Sequence, residues 1–373
     1  MKILIVMGGF FPGKKFGGPP ASVDNFCSLM KEHSCYIVTR NHDMGETESY
    51  ASVTSGWNDR GNCNVLYLPD AQYNKTVFES VIKEIGPDLI YLQGLFQGCV
   101  IPCLMLAKKY NIKVLLAPRG ELCAGAFRKK YKKIPYILVA RALSLLKKVH
   151  FQSTSDEETA AIKKYLKAQD DRVHFLTNIP SIPQNAFSRP SKKSGEGRFV
   201  FLSRIHPKKN LLKAIEFFSS AKGDIVFDIY GSIEDESYWK LCLEKAKALP
   251  SNVKVNYCGL IDHNDVHSVF SRYDAFLFPT MSENYGHVIA EALIVGCPVI
   301  VSDQTPWNDM ENNNAGFVSA LSDEASFVKA IQHIVDLDSD SMSDNAKIYA
   351  EKKMNLKSLK TGYETVLAEL NKT

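Results

Sequence analysis

Short β-branched runs alternate with helix-length stretches along this chain, and the alternation occurs twice, which restricts the fold more than any other feature. Lys2–Met7, Cys35–Thr39, Val65–Leu68, Asp88–Leu92, Val114–Ala117 and Val149–Ser153 read as strands, with helices between several of them. The pattern restarts at Arg198–Ser203, Ile225–Tyr230, Val253–Tyr257, Ala275–Phe278 and Pro298–Val301. Strands joined by helices pair in parallel, because only a long crossover returns the chain to the same end of a sheet. An α/β protein of two doubly wound domains facing a cleft is expected. The 373 residues agree with that, at roughly 150 per domain.

Between the two series, Asn178 to Gly197 carries Pro180, Pro183 and Pro190 with Ser, Lys and Gly, and has no sustained apolar period. It reads as a linker. After Phe317 the pattern is helical, and Leu356, Leu359, Tyr363, Val366, Leu367 and Leu370 fall on one apolar face. The expected division is 1–190, 191–354 and a terminal helix, 355–373, packed back on the N-terminal domain. Hydrophobic residues at 45% and charged residues at 23% exclude disorder, collagen and coiled coil. A net charge of +4 is too small for whole-chain attraction to nucleic acid, so any basic patch must be local.

The nine cysteines are odd in number and form no Cys-x-x-Cys pair, and Cys99 and Cys103 read as one face of a buried helix. Reduced thiols point to the cytoplasm. The opening Ile3–Met7 run is too short for a signal-peptide core and reads as a strand. Ile134 to Leu146, interrupted by Pro135 and Arg141, falls short of the ~18 apolar residues of a membrane span. Asp336 to Asp344 has Asp-x-Asp spacings but lies between two late helices, and reads as a solvated turn rather than a metal site.

The densest chemical signal is the stretch from Pro279 to Val301: a strand end, a polar loop, a helix, a glycine stop and a second strand. In a parallel sheet such a loop lies at the carboxyl edge, where ligands bind. A helix opening near Tyr285 or Gly286 turns the backbone N–H groups of Gly286, His287 and Val288 outward, at the positive end of its dipole, and suits an anion. Glu283 precedes this turn and Glu291 lies in the helix behind it. After another strand, Phe201 to Asn210 supplies Arg204 and Lys209, two cations suited to a diphosphate. Singly, Arg204 and Lys209 also read as a solvated loop pair and Glu283 as a helix cap.

Together, Glu283-x7-Glu291, Arg204 with Lys209, and Gly296-x-Pro298-Val299-Ile300 resemble glycosyltransferase family 4, the retaining nucleotide-sugar glycosyltransferases of GT-B fold, in which two Rossmann-like domains face a cleft. The likeness spans most of the second domain. It implies that Arg204 and Lys209 bind the donor diphosphate and stabilise the leaving group, and that Asn284, Tyr285, Gly286 and His287 hold phosphate and donor sugar. Glu291 would bind the ribose hydroxyls, and Glu283 would orient the sugar. Asp228–Gly231 and Cys258–Ile261, with Gly231 and Leu260, resemble the strand ends that frame the nucleobase. Neither a metal nor another cofactor is expected, since a helix N-terminus and two cations can do a divalent ion's electrostatic work.

In the first domain, Gly17 and Gly18 resemble the family's Gly-Gly beside the donor phosphates. Gly8 to Lys14 also satisfies Gly-x4-Gly-Lys, but Lys15 stands where a P-loop needs Ser or Thr, and Gly17-Gly18-Pro19-Pro20 intervenes before any helix. Leu116 to Leu122 offers Arg119 and Glu121 on the acceptor side, where many relatives carry His; Arg119 pairing with Glu121 or another acid is the structural alternative. The Pro-Arg-Gly-Glu version resembles a branch associated with bacterial surface polysaccharide synthesis. Basic residues 128–133 followed by the apolar stretch to 146 read either as a peripheral membrane contact or as a solvated face.

The reading is therefore transfer of a sugar from a nucleoside diphosphate sugar, UDP-sugar first, to a hydroxyl of a glycan or lipid-linked glycan. An epimerase or hydrolase of the same fold, and a silent nucleotide-sugar-binding subunit, stay open beside it. No Gly-x-Ser-x-Gly or nucleophile triad order supports serine hydrolysis.

Overall fold

Helical crossovers keep the strands parallel throughout most of the molecule. The structure, a computed structural model, describes residues 1–123, 126–127, 130–183, 185–337 and 341–372. The chain forms two units, one of Met1–Ile179 joined by the residues from Leu356 onward, the other of Pro180–Asn355.

The first unit runs β1 (Lys2–Val6), α1 (Gly18–Leu29), β2 (Ser34–Arg40), β3 (Trp57–Asp59), β4 (Asn64–Leu68), α2 (Lys75–Ile85), β5 (Leu89–Gln93), α3 (Val100–Tyr110), β6 (Lys113–Ala117), α4 (Lys130–Ala142), β7 (Val149–Ser153), α5 (Asp156–Ala161) and β8 (Val173–Phe175). Among the described residues its sheet has the order β3-β4-β2-β1-β5-β6-β7-β8, parallel except for β3 against β4. Ile3, Leu4, Ile5 and Val6 are all buried, as are Leu89 to Leu92; helices on both faces leave such strands no solvent side, so they read as continuous apolar runs.

The second unit runs β9 (Glu196–Leu202), α6 (Leu211–Glu216), β10 (Asp224–Tyr230), α7 (Glu236–Lys247), β11 (Val253–Gly259), α8 (Val266–Phe270), β12 (Ala275–Phe278), α9 (His287–Ile294), β13 (Val299–Ser302), β14 (Gly316–Ser319), α10 (Glu324–Asp336) and α11 (Ser341–Met354). Its strand order is β11-β10-β9-β12-β13-β14, all parallel. In each sheet the winding reverses at one point, between β1 and β5 and between β9 and β12. There the outgoing loops diverge and open a crevice at the carboxyl ends.

The last helix, α12 (Leu356–Lys372), buries Tyr363, Val366, Leu367 and Leu370 in the first unit's core. The Tyr363 hydroxyl donates to the Thr177 carbonyl at 3.0 Å and accepts from Gln152 Nε2 at 2.9 Å.

The boundary expected at residue 190 falls instead at Ile179–Pro180. The proline-bearing stretch belongs with the second unit because its side chains are engaged there. Arg189 donates to the carbonyls of Tyr273, at 2.7 Å, and of Gly296. Ser181 Oγ lies 3.2 Å from His263 Nε2, and Phe187 packs on the second core. The other division lies at Asn355–Leu356. All nine cysteines are free thiols, Cys99 and Cys103 buried together at the start of α3. Within the aspartate-rich turn and the basic run, residues 338–340 and 128–129 lie outside the described residues. Among the described residues no helix is long and apolar enough to cross a membrane, and no group of three or more His, Cys, Asp or Glu is placed to hold a metal ion.

Candidate ligand site at the second switch point

Two loops meet at the carboxyl ends of β9 and β12. The first passes through a short 3-10 turn, Pro207–Lys209, capped by His206 Nδ1, which accepts from the Lys208 N–H at 3.1 Å. Asn210, left-handed at φ 62°, buries its amide and donates to the Pro279 carbonyl at 3.0 Å. The Lys208 carbonyl accepts from the Met281 N–H at 2.9 Å, so the loops are tied by backbone as well. These ties bring Lys209 to Glu283. Their ion pair is 12% and 14% exposed, and the ammonium lies 5.3 Å from the centre of the Phe278 ring. Glu283 is further fixed by its N–H, which donates to the Gln304 carbonyl at 2.9 Å.

Directly behind this pair, α9 opens at Gly286, whose φ of 77° and ψ of 61° are left-handed. A Cβ there would meet Ile289 Cδ1 at 2.9 Å, so glycine is required both for conformation and for space. Trp307 locks the preceding residue, its indole N–H donating to the Tyr285 carbonyl at 2.6 Å. Burial, with the Glu291 carboxylate nearby, holds the Tyr285 phenol well above its ordinary range. Glu291 is itself 4% exposed, and burial raises its carboxyl, with His263 pulling weakly the other way. No hydrogen bond to that carboxyl is made among the described residues. Asn284 and His287 are half-buried.

Arg204, expected with Lys209 on one anion, has its guanidinium on Glu234 at 2.9 and 3.2 Å and is 44% exposed. The cause lies in the backbone: the chain after β9 and the chain after β10 continue to pair, with the Ile205 N–H donating to Ser232 at 2.7 Å and the Glu234 N–H returning to Ile205 at 3.2 Å. Gly231 makes that approach possible, and its N–H donates to Gly259 at 2.9 Å, which joins the ends of β10 and β11. Leu260, just beyond, is exposed.

In the first unit, a cavity of about 490 Å³ opens at the β1/β5 reversal, with Gly9, Arg40, Gln93, Arg119 and Glu121 among its walls. Arg119, at φ 56°, does not pair with Glu121 or with another acid among the described residues. It donates to Gln93 Oε1 at 2.8 Å, to Ser22 Oγ at 3.3 Å and to Asn178 Oδ1. Glu121 instead accepts from the N–H groups of Leu95, at 2.6 Å, and Phe96, at 3.0 Å. Gln93 is buried and its Nε2 has no hydrogen-bond partner among the described residues. Gly17 caps α1, which begins at Gly18. The P-loop pattern is refuted by its own amides: Asp43 accepts from the N–H groups of Lys14 and Lys15 at 2.8 and 3.1 Å, so a carboxylate sits where a phosphate would.

Sequence reasoning passed over Glu234, Trp307, Gln93 and Asp43. Two of them left a signal: Trp307 is a large aromatic in an otherwise polar loop, and Gln93 is the polar residue closing the apolar run Leu89–Leu92.

Residues 184–353 match the family model described as Glycosyl transferases group 1. An uncharacterized 41.2 kDa protein in the cps region of Klebsiella pneumoniae is 24% identical over 58% of this chain and 60% of its own length. The O-antigen chain mannosyltransferase RfbU of Salmonella typhimurium is 24% identical over 50% of this chain and 51% of its own. The matched stretch thus spans less than two thirds of either relative. Anabaena Alr3699/HepE, solved in complex with UDP and glucose, is 13% identical and superimposes with a TM-score of 0.75 over 99% of this chain and 100% of that one. The chain therefore has the two Rossmann-like units of the GT-B glycosyltransferase fold, and its second unit carries the group 1 sequence pattern.

Proposed function

We propose that this protein is a retaining glycosyltransferase, of the family 4 kind, that moves a sugar from a nucleoside diphosphate sugar to a hydroxyl of a glycan or lipid-linked glycan. The observation that carries the reading is the ion pair of Lys209 and Glu283 at the β9/β12 reversal, in front of the α9 N-terminus. A lysine at a helix N-terminus suits a diphosphate, and an acid beside it suits the hydroxyls of the attached sugar.

On donor binding, the Lys209 ammonium passes from Glu283 to the diphosphate, and the released carboxylate accepts hydrogen bonds from the donor sugar. The backbone from Asn284 to His287 holds phosphate and sugar. Arg204 joins the diphosphate by leaving Glu234; an exposed ion pair holds it by only about 1 kcal/mol or less. Glu291, buried and without a hydrogen-bond partner among the described residues, accepts from the ribose hydroxyls, while Gly231 and Leu260 border the base. As the anomeric C–O bond to phosphate breaks, the acceptor oxygen bonds to the anomeric carbon from the same face and its proton passes to the departing phosphate oxygen, which retains configuration. Charge on the leaving group is met by Lys209, Arg204 and the helix amides, so the step needs no metal.

The reading makes UDP-sugar the first donor and surface polysaccharide the product, in keeping with the UDP held by the Anabaena protein and the O-antigen named for the Salmonella relative. Reduced thiols fit the cytoplasm. Arg119 and Glu121, with Gln93 in the same cavity wall of the first unit, are the acceptor-side residues of this proposal.

The test is a thermal-shift panel of UDP-, GDP-, ADP- and CDP-sugars, followed by assay of nucleoside diphosphate release with and without glycan acceptors in a chelator. Acceptor-dependent release supports transfer. Free sugar released at full rate without acceptor makes the protein a hydrolase, and binding without turnover over the whole panel makes it a silent subunit.

A further inference from the structure

Glycine at position 286 gives the second unit's site a weak point as well as a turn. The peptide unit joining Tyr285 to Gly286 is planar and trans, so its carbonyl and its N–H point to opposite sides. Because glycine takes positive and negative φ alike, that unit can turn over at little steric cost. One orientation offers an anion the Gly286 N–H, which makes no hydrogen bond among the described residues. The other offers it an oxygen.

Trp307, in the loop between β13 and β14, selects the first. It is 2% exposed, and its indole N–H donates to the Tyr285 carbonyl at 2.6 Å. Its ring lies edge-on to that of Tyr285, with centres 5.9 Å apart. With the carbonyl held toward the buried indole, the Gly286 N–H is directed away from it. The same loop supplies the Gln304 carbonyl that accepts from the Glu283 N–H at 2.9 Å, so the chain is held on both sides of Asn284.

That loop is in turn pinned to α11. Tyr349, 3% exposed, stands edge-on to Trp307 with ring centres 6.2 Å apart, and its hydroxyl donates to Asp309 Oδ1 at 2.7 Å. Lys353 forms an ion pair with Asp309 and sets its ammonium 5.4 Å from the centre of the Trp307 ring. Residues four apart share a helix face, so Tyr349 and Lys353 reach the loop together. None of these four side chains is among the ligand contacts proposed above.

We infer that Trp307 is a positioning residue for the donor diphosphate: through the Tyr285 carbonyl it keeps the Gly286 N–H turned to the anion, while Asp309, Tyr349 and Lys353 keep Trp307 in place. The inference rests on the donor reading above and extends it to residues that act through the backbone.

The test is titration of UDP and of uridine, or of the nucleoside diphosphate that the panel selects and its nucleoside, into wild type and Trp307→Phe, with melting temperatures measured alongside. Phenylalanine keeps an aromatic ring and removes the N–H. UDP affinity is expected to fall about tenfold or more, the size of one hydrogen bond to a charged group, and uridine affinity to stay unchanged. The split between the two ligands is the signature, because a general loosening of the site would weaken both. Lys353→Met, which keeps an aliphatic stem and removes the ion pair with Asp309, should weaken UDP alone in the same direction; it carries the comparison if the Trp307 variant does not fold. Wild-type UDP affinity in the folded variants overturns the inference, and so does an equal loss for uridine. A wild type that binds no nucleoside diphosphate overturns the donor reading itself, which distinguishes that failure from failure of the inference alone.

Discussion

A methyl group on Gly231 would lie 1.8 Å from the Ser203 carbonyl oxygen, at a φ of 143° that side chains avoid. Neither strand end can retreat, since Gly231 is tied to Gly259 and the next residues pair with Ile205. Gly231→Ala should therefore destabilise the second unit by about 3 kcal/mol or more, read as a lower melting temperature. Glu291 offers a prediction with a sign. Burial raises its carboxyl above the ordinary 4.5, so the folded state holds the proton to higher pH than the unfolded state does. That group's contribution is favourable below about pH 4.5 and falls as pH rises toward the shifted value. Glu291→Gln should make the ligand-free protein more stable than wild type at neutral pH, with the difference vanishing in acid. Its donor affinity should fall by about tenfold or more, because a neutral amide accepts a ribose hydroxyl more weakly than a carboxylate. Equal melting temperatures at neutral pH would contradict the first half, and unchanged affinity the second.

At the scale of elements, apolar strands were legible because burial on both faces writes itself as a continuous run; Ala275–Phe278 matches residue for residue, and so does the mixed Val149–Ser153. β3, β8 and β14 escaped notice, having three or four residues each and a sequence such as Val173-His-Phe that carries no period. The loops after β9 and β12 were legible as ligand loops from their position in a parallel series. Which partner each cation takes was not, because that depends on pairing between Ile205 and Ile233, set by tertiary approach rather than by spacing. The terminal helix is the clearest element to test. Leu367 is 1% exposed in the first unit's core, so Leu367→Ala should destabilise that unit by about 2–5 kcal/mol, whereas Lys357→Ala on the exposed side should change stability by less than about 0.5 kcal/mol. A similar loss from both, followed by calorimetry, would mean that α12 does not close that core.

Over the whole molecule, the twofold alternation gave the architecture, and the proline-bearing stretch gave an approximate boundary. Composition missed that Arg189 anchors that stretch to the second unit, since a guanidinium reaching two distant carbonyls has no local signature. The small net charge likewise concealed the acid-free run from Leu122 to Ser155, which only a local count reveals. The proposed donor site depends on Lys209 exchanging Glu283 for a diphosphate. Calorimetric titration of UDP into wild type, Lys209→Ala, and the double variant Lys209→Ala with Glu283→Ala tests it most directly. The prediction is a loss of about 10–100-fold in affinity for both variants, the size of a charge-assisted contact. Wild-type affinity in the double variant would contradict it.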